Sequence, residues 1–155
     1  MKQIPLTKGK FAIVDDEDFP RVNKYKWCYD HEYARAYIGG GRQNPVYVYL
    51  HRLVLNCTPG QMIDHKNRNK LDCRKINLRT CSKSQNAVNS FLRKDNTSGF
   101  RGVSYHNLEH KYKAKIVVNQ KVIHLGTFSD PIEAAMAFNK AAKSYRGEFA
   151  VLNQI

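Results

Sequence analysis

The chain has 155 residues, 42% of them hydrophobic, and 26 Lys and Arg residues against 13 Asp and Glu residues give a net charge of +13. The length fits one domain or two small ones, and the hydrophobic content is enough for packed cores, which excludes a disordered chain. The basic excess is greatest in residues 51–95, which hold ten basic and three acidic residues. Such a local surplus predicts a polyanionic partner, and nucleic acid is the favoured one.

The four cysteines, Cys28, Cys57, Cys73 and Cys81, include no C-x-x-C pair. The sequence therefore predicts neither a zinc site nor a disulfide framework, and we interpret these residues as reduced thiols. The N-terminal residues have no apolar signal region, and no apolar run approaches the length that spans a membrane. We expect a cytoplasmic protein without a membrane partner.

Residues 1–50 are predicted to be rich in short strands and to serve as a scaffold for the rest of the chain. Three runs have the composition or alternation of strands: residues 11–14, 33–38 and 46–50. The three consecutive glycines at 39–41 predict a hairpin between the last two runs. The acidic run at 15–18 predicts a solvated turn or helix start, because adjacent carboxylates rarely converge on one metal ion.

Residues 51–95 mix basic and polar residues with a few apolar positions and end in a predicted helix. Ser82 and Gln85 have the spacing of a capping box, in which each side chain bonds the other residue's backbone N–H. The apolar face of this helix is predicted from the residues Ala87, Val88, Phe91 and Leu92. The polar run at 95–99 then predicts a short linker.

Residues 96–155 are predicted to form three strands and one helix. The strand candidates are residues 100–105, 112–118 and 121–128. Asp130 as N-cap, Pro131 at the first helical position and Glu133 at the third predict the start of the helix. Its apolar stripe comprises Ala134, Ala135, Phe138, Ala141, Ala142 and Tyr145. The chain as a whole is thus predicted to be α+β, with parts at 1–50, 51–95 and 96–155.

The second part contains residues suited to phosphodiester hydrolysis. That reaction needs a divalent metal beside the scissile phosphate and a general base that activates water. Magnesium prefers oxygen ligands and retains several waters, so one carboxylate and one amide oxygen are a sensible minimal set. Asp64 and Asn86 could supply those oxygens. His65 points to the opposite side of an extended chain from Asp64 and could be the base.

In this order, Asp64-His65, Asn77 and Asn86 resemble the motif of the HNH nucleases, whose site is a ββα-metal module. The resemblance implies that Asp64 and Asn86 bind a divalent metal, magnesium or else manganese, and that zinc is absent. It also implies that His65 is the general base. Asn77 is implied to hold the loop that orients the base.

The segment before this motif, Leu50-His51-Arg52-Leu53-Val54, is similar to the corresponding segment of phage and intron-encoded HNH nucleases. The similarity implies that His51 and Arg52 lie near the phosphate. We therefore expect His51 to be a further catalytic residue and Arg52 to contact DNA. A further DNA contact is expected from Arg79.

Residues 98–153 carry a second resemblance. The Arg-Gly-Val at 101–103, the Leu-Gly-Thr-Phe at 125–128 and the Glu-Ala-Ala at 133–135 are similar to the Apetala-type, or ethylene-response-factor-type, DNA-binding domain. Tyr112 stands where that family carries tryptophan. The resemblance implies a three-stranded antiparallel sheet packed on one helix, whose exposed face enters the major groove.

Alternation in the second strand of this domain places Ala114 and Ile116 on one face and the lysines on the other. By position in the motif, Arg101, Lys115 and His124 are expected DNA contacts, and Lys113 is an expected contact as their neighbour on the same face. Three departures are Ser104, Val117 and Val122, which stand where plant members carry arginines. We therefore expect phosphate-dominated binding of low sequence selectivity.

The sequence as a whole predicts a metal-dependent endonuclease of the homing or phage HNH type acting on double-stranded DNA. A single site would nick one strand, and we expect a monomer or a homodimer, encoded by a phage or mobile element in a bacterial host. One alternative is a non-enzymatic, sequence-tolerant DNA-binding protein with a decayed nuclease module. A second is an RNA-binding accessory protein, which basic charge and the aromatic residues Tyr105, Tyr112 and Phe128 also permit.

Overall fold

The computed structural model describes residues 1–155 and has a mixed α and β structure, with many strands and few helices. The chain divides into two compact units, Met1–Asn86 and Ala87–Ile155. The first unit includes all of residues 1–50 and most of residues 51–95. The division of the chain into three functional parts, at residues 50 and 95, stays a prediction. No helix is long and apolar enough to cross a lipid bilayer.

The first unit contains three small antiparallel sheets. Their strands are β1 (Lys2–Pro5) with β2 (Phe11–Val14), β3 (Trp27–Asp30) with β4 (Tyr33–Gly39) and β5 (Val46–Tyr49), and β6 (Met62–His65) with β7 (Leu78–Cys81). The helices of this unit are α1 (Phe19–Val22) and α2 (Leu50–Val54), and α3 (Lys83–Val88) begins in it and ends two residues past its last residue. One apolar cluster lies beneath these elements, with Ile4, Val14, Val22, Leu50 and Val54 all at most 1% exposed.

The predicted hairpin around the glycines is confirmed. Strands β4 and β5 pair with Tyr37 opposite Tyr47, and the turn between them includes Gly40 at φ +84°. A Cβ atom at Gly40 would lie 2.2 Å from the carbonyl oxygen of Asn44, so this turn requires glycine.

The N-terminal sheet is joined to the loop between β6 and β7. Ile13 of β2 donates its N–H to the carbonyl of Leu71 at 2.8 Å and accepts from the N–H of Cys73 at 2.8 Å. Residues 1–50 therefore support the loop that follows the Asp-His pair. These bonds are consistent with the scaffold role predicted for residues 1–50, which stays a prediction.

The acidic run at 15–18 is a turn and helix start, as predicted, but it is not solvated throughout. Asp18 is only 3% exposed and forms ion pairs with Arg21 at 2.6 Å and with Lys75 at 3.2 Å. Asp15 accepts the backbone N–H of Lys75 at 2.8 Å. Burial of Asp18 is possible because two cations compensate its charge.

The capping box at the start of α3 is confirmed. Ser82 donates its N–H to Gln85 Oε1 at 2.8 Å, and Gln85 donates its N–H to Ser82 Oγ at 3.2 Å. The predicted apolar face is wrong beyond this first turn, because the helix ends at Val88 and Phe91 is 71% exposed. Asn89 and Ser90 follow the helix, and such residues favour caps and turns over helix interiors.

The second unit is one antiparallel sheet and a helix. Strands β8 (Val103–His106), β9 (Lys111–Val118) and β10 (Lys121–Phe128) lie in the order β10-β9-β8. Helix α4 (Pro131–Arg146) packs on them, and its N-cap Asp130 accepts the N–H of Ile132 at 2.9 Å, as predicted. This sheet packed on one helix has the architecture expected for residues 96–155.

The contact between sheet and helix uses the predicted faces. Ala114 and Ile116 of β9 are buried, together with Phe138 of α4. Gly102 has φ +74°, and a Cβ there would lie 2.1 Å from the Phe138 ring, so the backbone approaches the helix closely. This turn also delays the start of β8 to Val103. The prediction for Tyr145 is wrong, since its side chain is 52% exposed.

Candidate active site

The β6–β7 hairpin places Asp64 and His65 at the end of β6, on opposite faces of the strand. Asp64 is 4% exposed and His65 is 6% exposed. Buried ionisable groups need partners, and the two residues find theirs in different parts of the unit. The Asp64 carboxylate is bound by β7, whereas the His65 imidazole lies among other aromatic rings.

The partner of Asp64 is Arg79, its register neighbour on β7. Arg79 donates from Nε at 2.9 Å and from Nη2 at 2.7 Å to the same oxygen, Oδ2. The Arg79 side chain is only 12% exposed. The structure thus places Arg79 against the predicted metal ligand, and its DNA contact stays a prediction.

Asn77 lies in the β6–β7 loop and is 6% exposed. Its Oδ1 accepts the backbone N–H of Asn67 at 2.9 Å, and its Nδ2 donates to the carbonyl of Asp72 at 2.7 Å. Its own carbonyl accepts the N–H of Lys66, directly after His65, at 2.9 Å. These bonds are consistent with the loop-holding role predicted for Asn77, which remains a prediction for catalysis.

Asp72 extends this loop network. Its carboxylate accepts from Arg74 Nε at 2.7 Å and Nη2 at 2.6 Å, and from Asn67 Nδ2 at 2.8 Å. Hydrogen bonds from Arg74 lower the pKa of Asp72. The loop after the Asp-His pair is therefore held by charged and amide hydrogen bonds, which rigidify a buried polar network when all members are satisfied.

His51, on α2, lies beside His65 with 5.2 Å between ring centroids and the rings nearly perpendicular. Burial lowers the pKa of His51 to about 3 and, despite the attraction of Asp64, that of His65 to about 4. Both imidazoles are therefore neutral near pH 7. A general base must be unprotonated before it can accept a proton, so His65 has the required charge state.

Two tyrosines complete the cluster around the histidines, and the sequence analysis did not identify them. Tyr33 lies 5.3 Å from His51 and 6.2 Å from His65, and Tyr49 stacks on His51 at 5.7 Å, between ring centroids. Lys70 lies 4.9 Å above the Tyr33 ring. The alternating pattern at 33–38 predicted the strand that carries Tyr33. It gave no indication that this strand would pack beside His51 and His65.

Asn86 is exposed on α3, within the turn fixed by the capping box. No group of three or more His, Cys, Asp and Glu residues is placed to hold a metal. The donor set of Asp64 and Asn86 is instead one carboxylate and one amide, both hard oxygen donors. Magnesium typically binds proteins through one or two carboxylates and keeps several waters, so these residues fit such an ion.

All four cysteines are free thiols. Burial, and after it the charge of Asp64, raise the pKa of Cys81 at the end of β7. Cys73 is buried at the β2 contact, and burial raises its pKa to about 12. A metal-binding cysteine must lose its proton, which this environment disfavours.

Arg52 holds a loop in this structure. It donates to the carbonyls of Gln61 at 2.7 Å and Thr58 at 2.6 Å, which fixes the turn before β6. The phosphate contact expected for Arg52 therefore stays a prediction.

The four DNA contacts expected in the second unit lie in different settings. Lys115 and His124 are exposed and directly opposite each other on β9 and β10. Lys113 pairs with Glu109 at 2.6 Å, and Arg101 donates from Nη2 to the carbonyl of Ser90 at 2.6 Å. Lys115 and His124 therefore share one face of the sheet, while Arg101 and Lys113 also bond other residues of their own unit.

Comparison with known proteins supports the family suggested by the motif. A family described as HNH endonuclease matches residues 48–88, the range that contains Asp64, His65, Asn77 and Asn86. An uncharacterized HNH endonuclease of Acanthamoeba polyphaga mimivirus is 32% identical over 149 residues, covering 96% of this chain and 77% of the relative.

Two ethylene-responsive transcription factors of Arabidopsis thaliana, one of them AP2-like, match more narrowly. Each is 41% identical over 58 residues, which cover 36% of this chain but only 14% and 17% of the two plant proteins. This likeness is partial, whereas the viral relative is matched along most of its length. The chain therefore belongs to the HNH endonuclease family and is an enzyme that cleaves phosphodiester bonds.

Proposed function

We propose that the chain is a metal-dependent endonuclease of the homing or phage HNH type that hydrolyses phosphodiester bonds of double-stranded DNA. The observation that carries the proposal is the Asp64-His65 pair at the end of β6, with one side chain bound to Arg79 and the other within the His51 and Tyr33 cluster. One strand thereby presents a carboxylate and a neutral imidazole at adjacent positions and on opposite faces, which combines a metal ligand with a base.

In this proposal His65 takes the proton from the attacking water. Its burial keeps the imidazole neutral, and Asn77 fixes the loop that begins at the next residue. Packing of His51 against His65 limits the orientations of the base. An unprotonated base held in one orientation is part of what general base catalysis requires.

Asp64 and Asn86 are the residues that would hold a divalent metal, for which magnesium is the proposed ion. When bound, such an ion supplies a Lewis acid that stabilises charge on the leaving oxygen. Arg79 holds Oδ2 of Asp64, and a carboxylate has about four lone-pair sites, so one side chain can serve a guanidinium and an ion. The ββα-metal assignment of β6, β7 and α3 rests on these residues.

Double-stranded DNA is the proposed substrate because the family cleaves phosphodiester bonds and the chain carries a net charge of +13. Lys115 and His124 on the outer sheet face, with Arg101 and Lys113, are the proposed DNA contacts of the second unit. A single site predicts nicking by a monomer and a double-strand break only from a homodimer. A phage or mobile-element origin in a bacterial cytoplasm belongs to the same proposal.

The test of metal binding is a titration of magnesium against nicking of supercoiled plasmid by the wild type, Asp64→Asn and Asn86→Ala. Asn23→Ala, which alters another exposed amide of the first unit, is the matched control. We expect both ligand variants to need more magnesium, and the control to match the wild type. Unchanged magnesium dependence in Asp64→Asn and Asn86→Ala would contradict the ligand assignment.

A further inference from the structure

One face of the β3–β4–β5 sheet carries aromatic residues in place of the usual charged ones. In β4 the side chains of Ala34 and Ala36 are buried in the core, which directs Tyr33, Arg35 and Tyr37 to the opposite face. In a strand with one face in water, polar residues normally alternate with the buried apolar ones. In β4 the residues at these outward positions are tyrosine and arginine instead.

Strand β5 adds two more rings to the same face. The register places Tyr49 opposite Arg35 and Tyr47 opposite Tyr37. We call these five residues, Tyr33, Arg35, Tyr37, Tyr47 and Tyr49, the aromatic face. Directly opposed residues on antiparallel strands point to the same side of a sheet, so the five form one surface.

The rings of the aromatic face contact one another. Tyr37 and Tyr47 lie 5.8 Å apart, as do Tyr33 and Tyr49, between ring centroids. Between these pairs, the guanidinium carbon of Arg35 lies 4.1 Å from the centroid of Tyr47. The surface therefore runs as neighbouring side chains from the hairpin end to Tyr33.

At its inner end the aromatic face meets the candidate active site. Tyr33 and Tyr49 both contact the His51 ring, and Tyr33 also contacts His65. Tyr33 is therefore a neighbour both of His65 and of Tyr49 in the aromatic face. The surface is thus continuous with the residues proposed to perform hydrolysis.

The outer end of the surface is open to solvent. Tyr37 is 53% exposed and Tyr47 is 42% exposed. Contiguous exposed apolar side chains mark interaction sites more often than scattered ones do. Tyrosine is favoured at such sites because it combines a large apolar ring with a polar end.

Charge indicates which part of a nucleic acid this surface suits. Two cations contact the aromatic face, and each is paired with a carboxylate: Arg35 with Asp30 at 3.0 Å, and Lys70, which lies above the Tyr33 ring, with Glu32 at 2.6 Å. Phosphate binding requires several cations, whereas aromatic rings stack on bases of any sequence. Bases offer their flat faces only where they are unpaired or unstacked.

We propose that the aromatic face binds unpaired bases of DNA adjacent to the scissile phosphate. This inference rests on the proposed function, and it requires that base pairs of the double-stranded substrate open beside the scissile phosphate when it is bound. It assigns to residues 33–49 a substrate contact in addition to their support of the histidines. Tyr37 and Tyr47 form its accessible part.

The experiment measures binding of two fluorescent duplexes by anisotropy, one fully paired and one containing a short unpaired gap, in a chelator so that no cutting occurs. We expect the wild type to prefer the gapped duplex. The double variant Tyr37→Ser, Tyr47→Ser should lose about tenfold or more in affinity for the gapped duplex, because it removes two aromatic rings on which bases can stack. Its affinity for the paired duplex should stay unchanged.

Two controls separate stacking from folding. Tyr37→Phe, Tyr47→Phe keeps both rings and should bind like the wild type, although it loses the hydrogen bond from the Tyr37 hydroxyl to the Gly40 carbonyl. Phe11→Ser removes an aromatic ring of similar exposure, 51%, from β2 in another sheet and should have no effect. Thermal unfolding of each variant identifies any loss of structure.

Three outcomes would overturn the proposal: equal affinity of the wild type for both duplexes, equal loss on both duplexes in the serine variant, or a matching loss in the phenylalanine variant. The first needs no variant and so holds even if the serine variant fails to fold. Because binding is measured without metal, a protein that never cuts DNA can still show the tyrosine effect. Failure of the surface and failure of the nuclease proposal are therefore distinguishable.

Discussion

Arg79 donates two hydrogen bonds, at 2.9 and 2.7 Å, to a single carboxylate oxygen of Asp64 across the β6–β7 hairpin. The pair links the proposed metal ligand to a rigid strand. Because both side chains are largely buried, the pair holds the carboxylate in place. It also makes the stability of the site depend on a residue that the sequence suggested for DNA contact.

Replacement of Arg79 by leucine should destabilise the protein strongly. Breaking a buried ion pair leaves one charge uncompensated and typically costs about 3–5 kcal/mol. We expect the free energy of unfolding, measured with urea in a chelator, to fall by about 3 kcal/mol in Arg79→Leu. The double variant Asp64→Asn, Arg79→Leu should lose less, because no charge is left buried.

Arg42→Leu, which removes an exposed arginine of the same unit, is the control for Arg79→Leu. If Arg79→Leu is as stable as this control, Arg79 does not compensate the buried charge of Asp64. The same conclusion follows if the double variant is less stable than Arg79→Leu.

Acid should destabilise the first unit through the two buried histidines. Their folded-state pKa values, about 3 for His51 and about 4 for His65, lie below the ordinary value of 6.5. Below about pH 6.5 the unfolded chain binds more protons, so stability is complete above that pH and falls as the pH decreases. Each histidine can contribute about 1.4 kcal/mol per pH unit in this window.

The measurement is urea unfolding of the wild type and His51→Gln at pH 7 and pH 5. Since glutamine does not titrate, the variant should lose about 1–2 kcal/mol less than the wild type over this interval. Equal losses would mean that His51 keeps an ordinary pKa in the folded chain.

Replacement of Asn77 by alanine should loosen the loop after His65. The variant removes the partners of the Asn67 N–H and the Asp72 carbonyl, and an unsatisfied buried group costs about 1–3 kcal/mol. We expect a fall of about 2 kcal/mol in the free energy of unfolding and a lower rate of plasmid nicking at temperatures where the variant stays folded. Asn23→Ala, with wild-type stability and rate, is the control; a variant equal to it would exclude the loop-holding role.

Removal of Lys115 should weaken DNA binding in a salt-dependent way. Lys115 is exposed on β9, and loss of one phosphate contact lowers the slope of log affinity against log salt by about one. We expect this change in Lys115→Ala and not in Lys140→Ala, which alters an exposed lysine of α4. Anisotropy titrations at several salt concentrations measure it, and identical slopes in both variants would remove Lys115 from the interface.

Features set by neighbouring residues were predicted well from the sequence. The Ser82–Gln85 and Asp130 caps are confirmed because capping depends on groups two or three residues apart. The buried and exposed alternation around Ala114 is likewise local. Helix α3 is shorter than predicted because apolar spacing alone does not outweigh Asn89 and Ser90.

Features set by distant pairing could not be predicted. Tyr33 and His65 come from strands far apart in sequence, and ring contacts between them depend on how two separate sheets pack. The pairing of Arg79 with Asp64 depends on the register of β6 and β7 across a long loop. The sequence motif thus identified the chemistry-bearing residues, whereas their partners required the structure.

The central claim is that His65 activates water for DNA hydrolysis, and nicking of supercoiled plasmid in magnesium tests it most directly. The wild type should convert the plasmid to relaxed product, and a chelator should abolish conversion. His65→Ala should be inactive while remaining folded, and His110→Asn, which changes an exposed histidine of the turn between β8 and β9, should still cut. Product formed by His65→Ala at the wild-type rate would contradict the assignment of the base.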